Sequence, residues 1–123
     1  MLKIDSDNMI IALTRGDTAT IVFSAVKDDG TVYTATTDDV LKFAVGKKYG
    51  EYIFEVVNEY NDDPSDFWNI TIAPEKTEAL KFGDYFFDVQ LTHNDSGTPE
   101  VDTIIGKTDE ITPTFRIWGE VAK

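Results

Sequence analysis

His93 is the only histidine in the chain, and it stands just ahead of a turn sequence, Asn94-Asp95-Ser96-Gly97. A single imidazole can act as a general base or ligate a metal. Nucleophilic catalysis also needs a serine or cysteine beside that base, and a third group to orient it. The chain has no cysteine, no second histidine and no serine in a nucleophile motif. His93 therefore reads as a solvated turn residue. Aspartates cluster at Asp28-Asp29, at Asp38-Asp39, and at Asp62, Asp63 and Asp66. Calcium takes six to eight oxygens from a folded loop. The Asp-x-Asp-x-Asp-Gly spacing of an EF-hand is absent, and Asp5-x-Asp7 fails at Met9. Solvated acidic loops are the reading for all three clusters. Two carboxylates could hydrolyse a glycoside, but among 23 acids some pair meets any separation by chance. Arg15-Gly16-Asp17 spells an adhesion tripeptide and equally a tight turn into a strand, and the turn is the expectation. Tyr49, Tyr52, Tyr60, Phe67 and Trp68 lie near turn sequences. Exposed, they would stack on sugar rings; buried, they belong to a core, which is the stronger expectation. Trp118 reads as a core residue or an intersubunit contact. No residue is assigned to catalysis, to a cofactor or to a metal.

These residues need a scaffold, and the composition bounds it. At 123 residues the chain suits one domain, 1–123. Hydrophobic residues make up 41% and aromatics 12%, enough for a folded core. Without cysteine there is no disulfide framework and no thiolate zinc site. The net charge is −12, which disfavours nucleic acid and anionic lipid and suits a basic partner. No run of about 18 apolar residues is present, so membrane insertion is not expected. The first residues, Met1-Leu2-Lys3-Ile4-Asp5, turn polar too early for a signal peptide, which places the expectation in a cytoplasm.

The pattern along the chain is that of strands. Ala19, Ile21, Phe23 and Ala25 alternate with Thr20, Val22 and Ser24 from Thr18 to Val26. An Asp29-Gly30 hairpin and a weaker strand from Thr31 to Ala35 follow. Strands are expected at Met9–Leu13, Val40–Lys47, Tyr52–Glu59 and Phe67–Ile72. Tyr85, Phe87, Val89 and Leu91 share one face of a further strand, with Phe86, Asp88, Gln90 and Thr92 on the other. Val101, Thr103 and Ile105 alternate after the turn. Ile111–Trp118 closes the chain, with Pro113 suggesting an edge position. Pro74 to Leu80 is the one helix-like piece. The fold class is all-β: an immunoglobulin-like antiparallel β-sandwich of about eight or nine short strands with one short helical turn. Leu80, Gly83 and Tyr85 have the order of a tyrosine corner, and Phe87 stands where antibody domains carry a cysteine.

The order of features resembles the N-terminal immunoglobulin-like domain of phage baseplate upper proteins. The residues concerned are Arg15-Gly16-Asp17-Thr18, the Asp29-Gly30 hairpin, and Val40 to Val45 in a Val-x-x-Phe-x-Val pattern. The closing half adds Pro74-Glu75-Lys76-Thr77, Leu80-x-x-Gly83-x-Tyr85-x-x-Asp88-Val89-Gln90-Leu91, Thr103-Ile104-Ile105-x-Lys107 and Ile111-Thr112-Pro113-Thr114. Pro113 departs from the family, which has valine there. The resemblance implies a non-catalytic structural adaptor of the tail or baseplate, working through protein–protein contacts with other tail proteins. It also implies homo-oligomers, a trimer or hexamer, in the particle. Assembly would take place in the host cytoplasm, with the virion as the final location. Composition marks Tyr60, Trp118 and the acidic loop of Asp62, Asp63 and Asp66 as the expected partner contacts. A carbohydrate-binding module using exposed aromatics is the alternative.

Overall fold

The computed structural model describes residues 2–5, 7–26, 30–34, 39–48, 51–59, 67–93, 100–106 and 111–119. Among the described residues eleven strands run in chain order: β1 (Leu2–Asp5), β2 (Ile10–Thr14), β3 (Ala19–Phe23), β4 (Ala25–Val26), β5 (Val32–Tyr33), β6 (Val40–Lys48), β7 (Glu51–Glu59), β8 (Trp68–Ile72), β9 (Gly83–His93), β10 (Glu100–Ile105) and β11 (Thr114–Trp118). A 3-10 turn covers Pro74–Lys76. The protein is an all-β sandwich. Its larger sheet has the order β1-β2-β11-β9-β6-β7, with β10 also paired to β9. The ribbon β3–β8 packs across it, and β4–β5 forms a small hairpin.

Alternation decides which face each strand buries. In β3 and β8 the buried residues are Ala19, Ile21, Phe23 and Trp68, Ile70, Ile72, with exposed Thr20, Val22, Asn69 and Thr71 between them. The larger sheet answers with Leu41, Phe43 and Val45 from β6, Tyr85 to Leu91 at alternate positions of β9, and Phe115 and Ile117 from β11. Phe43 is the hub. Its ring centroid lies 6.0 Å from Phe23 of the opposite sheet, 5.4 Å from Phe87 and 6.0 Å from Phe115. Tilted and edge-on pairs of this kind add to the area they bury.

The tyrosine corner expected at Tyr85 is present: its hydroxyl donates to the Lys81 carbonyl at 2.7 Å. Phe87 is buried against Phe43, in the place considered for a cysteine.

Several expectations change. Leu2–Asp5, where no strand was expected, forms β1 and pairs antiparallel with β2. The long strand from Thr18 to Val26 breaks at Ser24 into β3 and β4. The sheet is not wholly antiparallel, because β11 lies parallel to β2. Nor is β11 an edge. It sits between β2 and β9, and Pro113 stands one residue before it, where its missing N–H costs no ladder bond. The helix-like piece is a 3-10 turn followed by the Leu80 N–H to Thr77 carbonyl bond at 3.0 Å, too short to continue as an α-helix.

The registers set two poles. Val40 of β6 faces Glu59 of β7 on one side and Thr92 of β9 on the other. Gly83 of β9 faces Ile117 of β11 at the opposite end. The eleven residues of β9 at about 3.3 Å each separate the poles by about 35 Å.

Candidate interaction surface

Tyr60, Asp62, Asp63 and Asp66 lie outside the described residues, in the connection from β7 to β8. Trp118 is described. It ends β11, is half-buried, and stands beside Thr14 at the pole where β2 and β11 finish together.

Around Trp118 the chain builds a small platform. The Arg15 backbone N–H donates to the Trp118 carbonyl at 2.9 Å. Gly16 then takes φ 83°, a left-handed conformation open to glycine without a Cβ penalty, and the Asp17 N–H closes the turn on the Thr14 carbonyl at 3.1 Å. Arg15-Gly16-Asp17 is thus a turn into β3. Fully buried Thr77 ties this turn to the 3-10 segment, its hydroxyl accepting from the Gly16 N–H at 2.9 Å. The Arg15 guanidinium donates to the Leu80 carbonyl at 3.3 Å and lies 4.4 Å from the centre of the Phe82 ring. Phe82 itself is 56% exposed. A Cβ at Gly119 would come within 2.8 Å of that ring, so the backbone after Trp118 passes directly against Phe82. An arginine stacked on an exposed phenylalanine, next to a tryptophan, has the residue types that dominate protein–protein binding energy. Sequence reasoning named Trp118 and missed Arg15 and Phe82, which join it only when the Leu80–Gly83 bend returns to the end of β2.

The other chemistry-bearing residues resolve differently. His93 is not a solvated turn residue. It ends β9, keeps 8% of its surface exposed, and its ring centroid lies 5.6 Å from that of Tyr33. The Tyr33 hydroxyl donates to buried Asp39 at 2.7 Å. Asp38 lies outside the described residues, as do Asp28 and Asp29. Among the described residues no group of three histidines or acids comes together as metal ligands would. Trp68 is fully buried, so it packs the core and presents no face to a sugar, whereas Tyr52 and Phe67 are exposed. Tyr49 lies outside the described residues.

Two carboxylates on the larger sheet bear on its electrostatics. Asp88 is buried on the outer face; Tyr52 donates a hydrogen bond to its Oδ2, and its Oδ1 has no partner among the described residues. Asp84 accepts from Arg116 Nε at 2.7 Å and Nη2 at 3.2 Å, a two-pronged pair across β9 and β11. The hydrogen bond from Arg116 holds the Asp84 carboxyl below its ordinary range, against the opposing effect of partial burial.

Fold and surface together define an all-β sandwich with a tyrosine corner and an aromatic platform at one end. No protein family's profile matches the chain, and no curated protein or solved structure is significantly similar to it. Among the described residues, no helix is long and apolar enough to cross a membrane.

Proposed function

We propose that this protein is a non-catalytic structural adaptor of a phage or prophage tail or baseplate, binding other tail proteins through the Arg15–Phe82–Trp118 pole. The observation that carries the reading is the platform itself. Its aromatic and cationic side chains are presented on backbone stapled by hydrogen bonds from Arg15, Gly16 and Tyr85, so little conformational entropy is lost when a partner docks. The motif resemblance described above supplies the particle. Assembly in a host cytoplasm and residence in the virion follow from that assignment.

The test is mass spectrometry on phage-like particles induced from the source culture. Stoichiometric recovery with tail proteins is expected; particles that form without this chain would overturn the adaptor role. In that event the carbohydrate-binding reading becomes the one to test. It rests on Phe67, 61% exposed, and Tyr52, 43% exposed, and glycan-array binding lost on Phe67→Ala would support it.

A further inference from the structure

We propose that the free edge of β3 is a strand-addition site. An extended segment of a partner protein, aliphatic at alternate positions and carrying a basic residue, pairs with β3 and seats an apolar side chain between the two sheets. The site shares no residue with the Arg15–Phe82–Trp118 platform, so it goes beyond the adaptor reading. Among the described residues, a sheet of seven strands faces a ribbon of two. β8 lies on the β7 side, where Asn58 Nδ2 donates to the Asn69 carbonyl at 2.6 Å. β3 is therefore the edge turned toward β2 and β1, and the inner face of those strands extends beyond it. Ile4 marks the gap. It pairs with core Ile11 and shares its inward face, yet it is 50% exposed.

A cavity of about 200 Å³ occupies that gap. Its wall takes four consecutive residues, Ile21, Val22, Phe23 and Ser24, from both faces of the chain, so it opens along the edge of β3. Ile4 and Met9 line it from the β1–β2 hairpin, and Phe87 and Ile105 from β9 and β10. An apolar cavity of about 150 Å³ admits benzene, so this one has room for a ring or a branched aliphatic side chain. Edge and cavity together select the occupant. Alternate residues of β3 turn their N–H and C=O away from β8, and none of those groups has a partner among the described residues. An extended backbone satisfies such a row. Natural edges are guarded by charge or proline. β1 carries Lys3 and Asp5, β7 carries Glu51 and Glu55, and β10 carries Glu100 and Asp102, whereas Ala19–Phe23 has neither guard. Asp5 is the one ionisable residue among those described along the cavity. Asn8 donates to it from its side chain at 2.9 Å and its backbone at 3.2 Å, which keeps the carboxylate charged. That charge, with −12 overall, favours a basic segment and disfavours a second copy of this chain.

Nuclear magnetic resonance titration of the isotope-labelled protein tests this, with the blocked peptide Thr-Val-Lys-Leu-Thr-Val-Lys as the probe. At ~1 mM it is expected to shift the amides of Ile4, Ile105 and residues 21–24, and to slow hydrogen exchange at alternate amides of β3. The same peptide N-methylated at its leucine and the following threonine keeps every side chain but loses a ladder donor in either register. It is expected to bind at least ~10-fold more weakly. Val22→Lys, at a side chain 58% exposed, puts a charge on the edge and is expected to weaken binding to the same degree. Asp5→Asn is expected to abolish the preference for this peptide over its glutamate-for-lysine counterpart. Circular dichroism melts check that the variants fold, and Ile4→Ser provides a second cavity variant at a half-exposed position. No shift at ~1 mM overturns the proposal, as do shifts confined to Phe82 and Gly119 or equal binding of the N-methylated peptide. Protection of the β3 amides in the protein alone, growing with its concentration, also overturns it and assigns the edge to a second copy. Each of these failures leaves the particle test of the adaptor role standing.

Discussion

The Tyr85 hydroxyl satisfies the Lys81 carbonyl at a bend where the backbone leaves the 3-10 segment for β9. Replacing it with phenylalanine keeps the buried ring and removes one hydrogen bond, so Tyr85→Phe is expected to cost about 1 kcal/mol in urea unfolding. Phe43 sits at a different level of importance, in contact with rings from three other strands. Phe43→Ala is expected to cost about 3–5 kcal/mol, through lost burial and the cavity left behind. Asp88 presents the reverse problem, a buried carboxylate with a single donor among the described residues. Tyr52→Phe would leave both of its oxygens unpaired and is expected to cost about 1–3 kcal/mol, far more than the same change at an exposed tyrosine with no buried partner.

At the scale of elements, the β6–β7 hairpin depends on Gly46. The pairing shifts register on both sides of it, and a Cβ there would collide with the Glu51 backbone carbonyl. Because that obstacle is main chain, Gly46→Ala must displace the bulge, and a loss of about 1–3 kcal/mol is expected by denaturant titration. The β9–β11 seam carries a pH-dependent contribution through Asp84 and Arg116. Asp84 has a depressed pKa in the folded state, with the Arg116 hydrogen bond as the main cause. Its contribution is therefore present above the unfolded value of about 3.9 and is lost as pH falls through the folded value. Thermal melts from pH 6 downward are expected to show a shallower acid limb for Asp84→Asn than for wild type. The difference will be small, since both side chains are largely solvated.

For the whole molecule, 23 acids against 11 bases make self-repulsion the dominant long-range term. Raising ionic strength from about 0.01 M to about 0.15 M shortens the screening length from about 30 Å to about 8 Å. The melting temperature is expected to rise over that interval; a fall would show that ion pairs such as Lys42–Glu55 outweigh the net charge.

Local alternation was enough to identify β3, β6, β8 and β9, their buried faces, and the corner at Tyr85, because a side-chain period of two reports directly which face meets the core. The same logic predicted the sandwich, since strands with one apolar face must bury it against another sheet. Pairing partners were not legible. β1 is short, with exposed Lys3 and Ile4, and is held by its ladder with β2, a contact that periodicity does not report. β11 became central and parallel to β2 because Phe115 and Ile117 are needed in the core beside Ile11 and Leu13, and Pro113 could stand outside the ladder. The burial of His93 and Asp88 was hidden for the same reason: His93 meets the Tyr33 ring and Asp88 lies beside Ala44 of β6, both from distant sequence. The platform shows the division most clearly. Arg15, Phe82 and Trp118 are scattered along the chain, and their residue types were visible from the start, but only the convergence of three chain segments at one pole makes them a single surface.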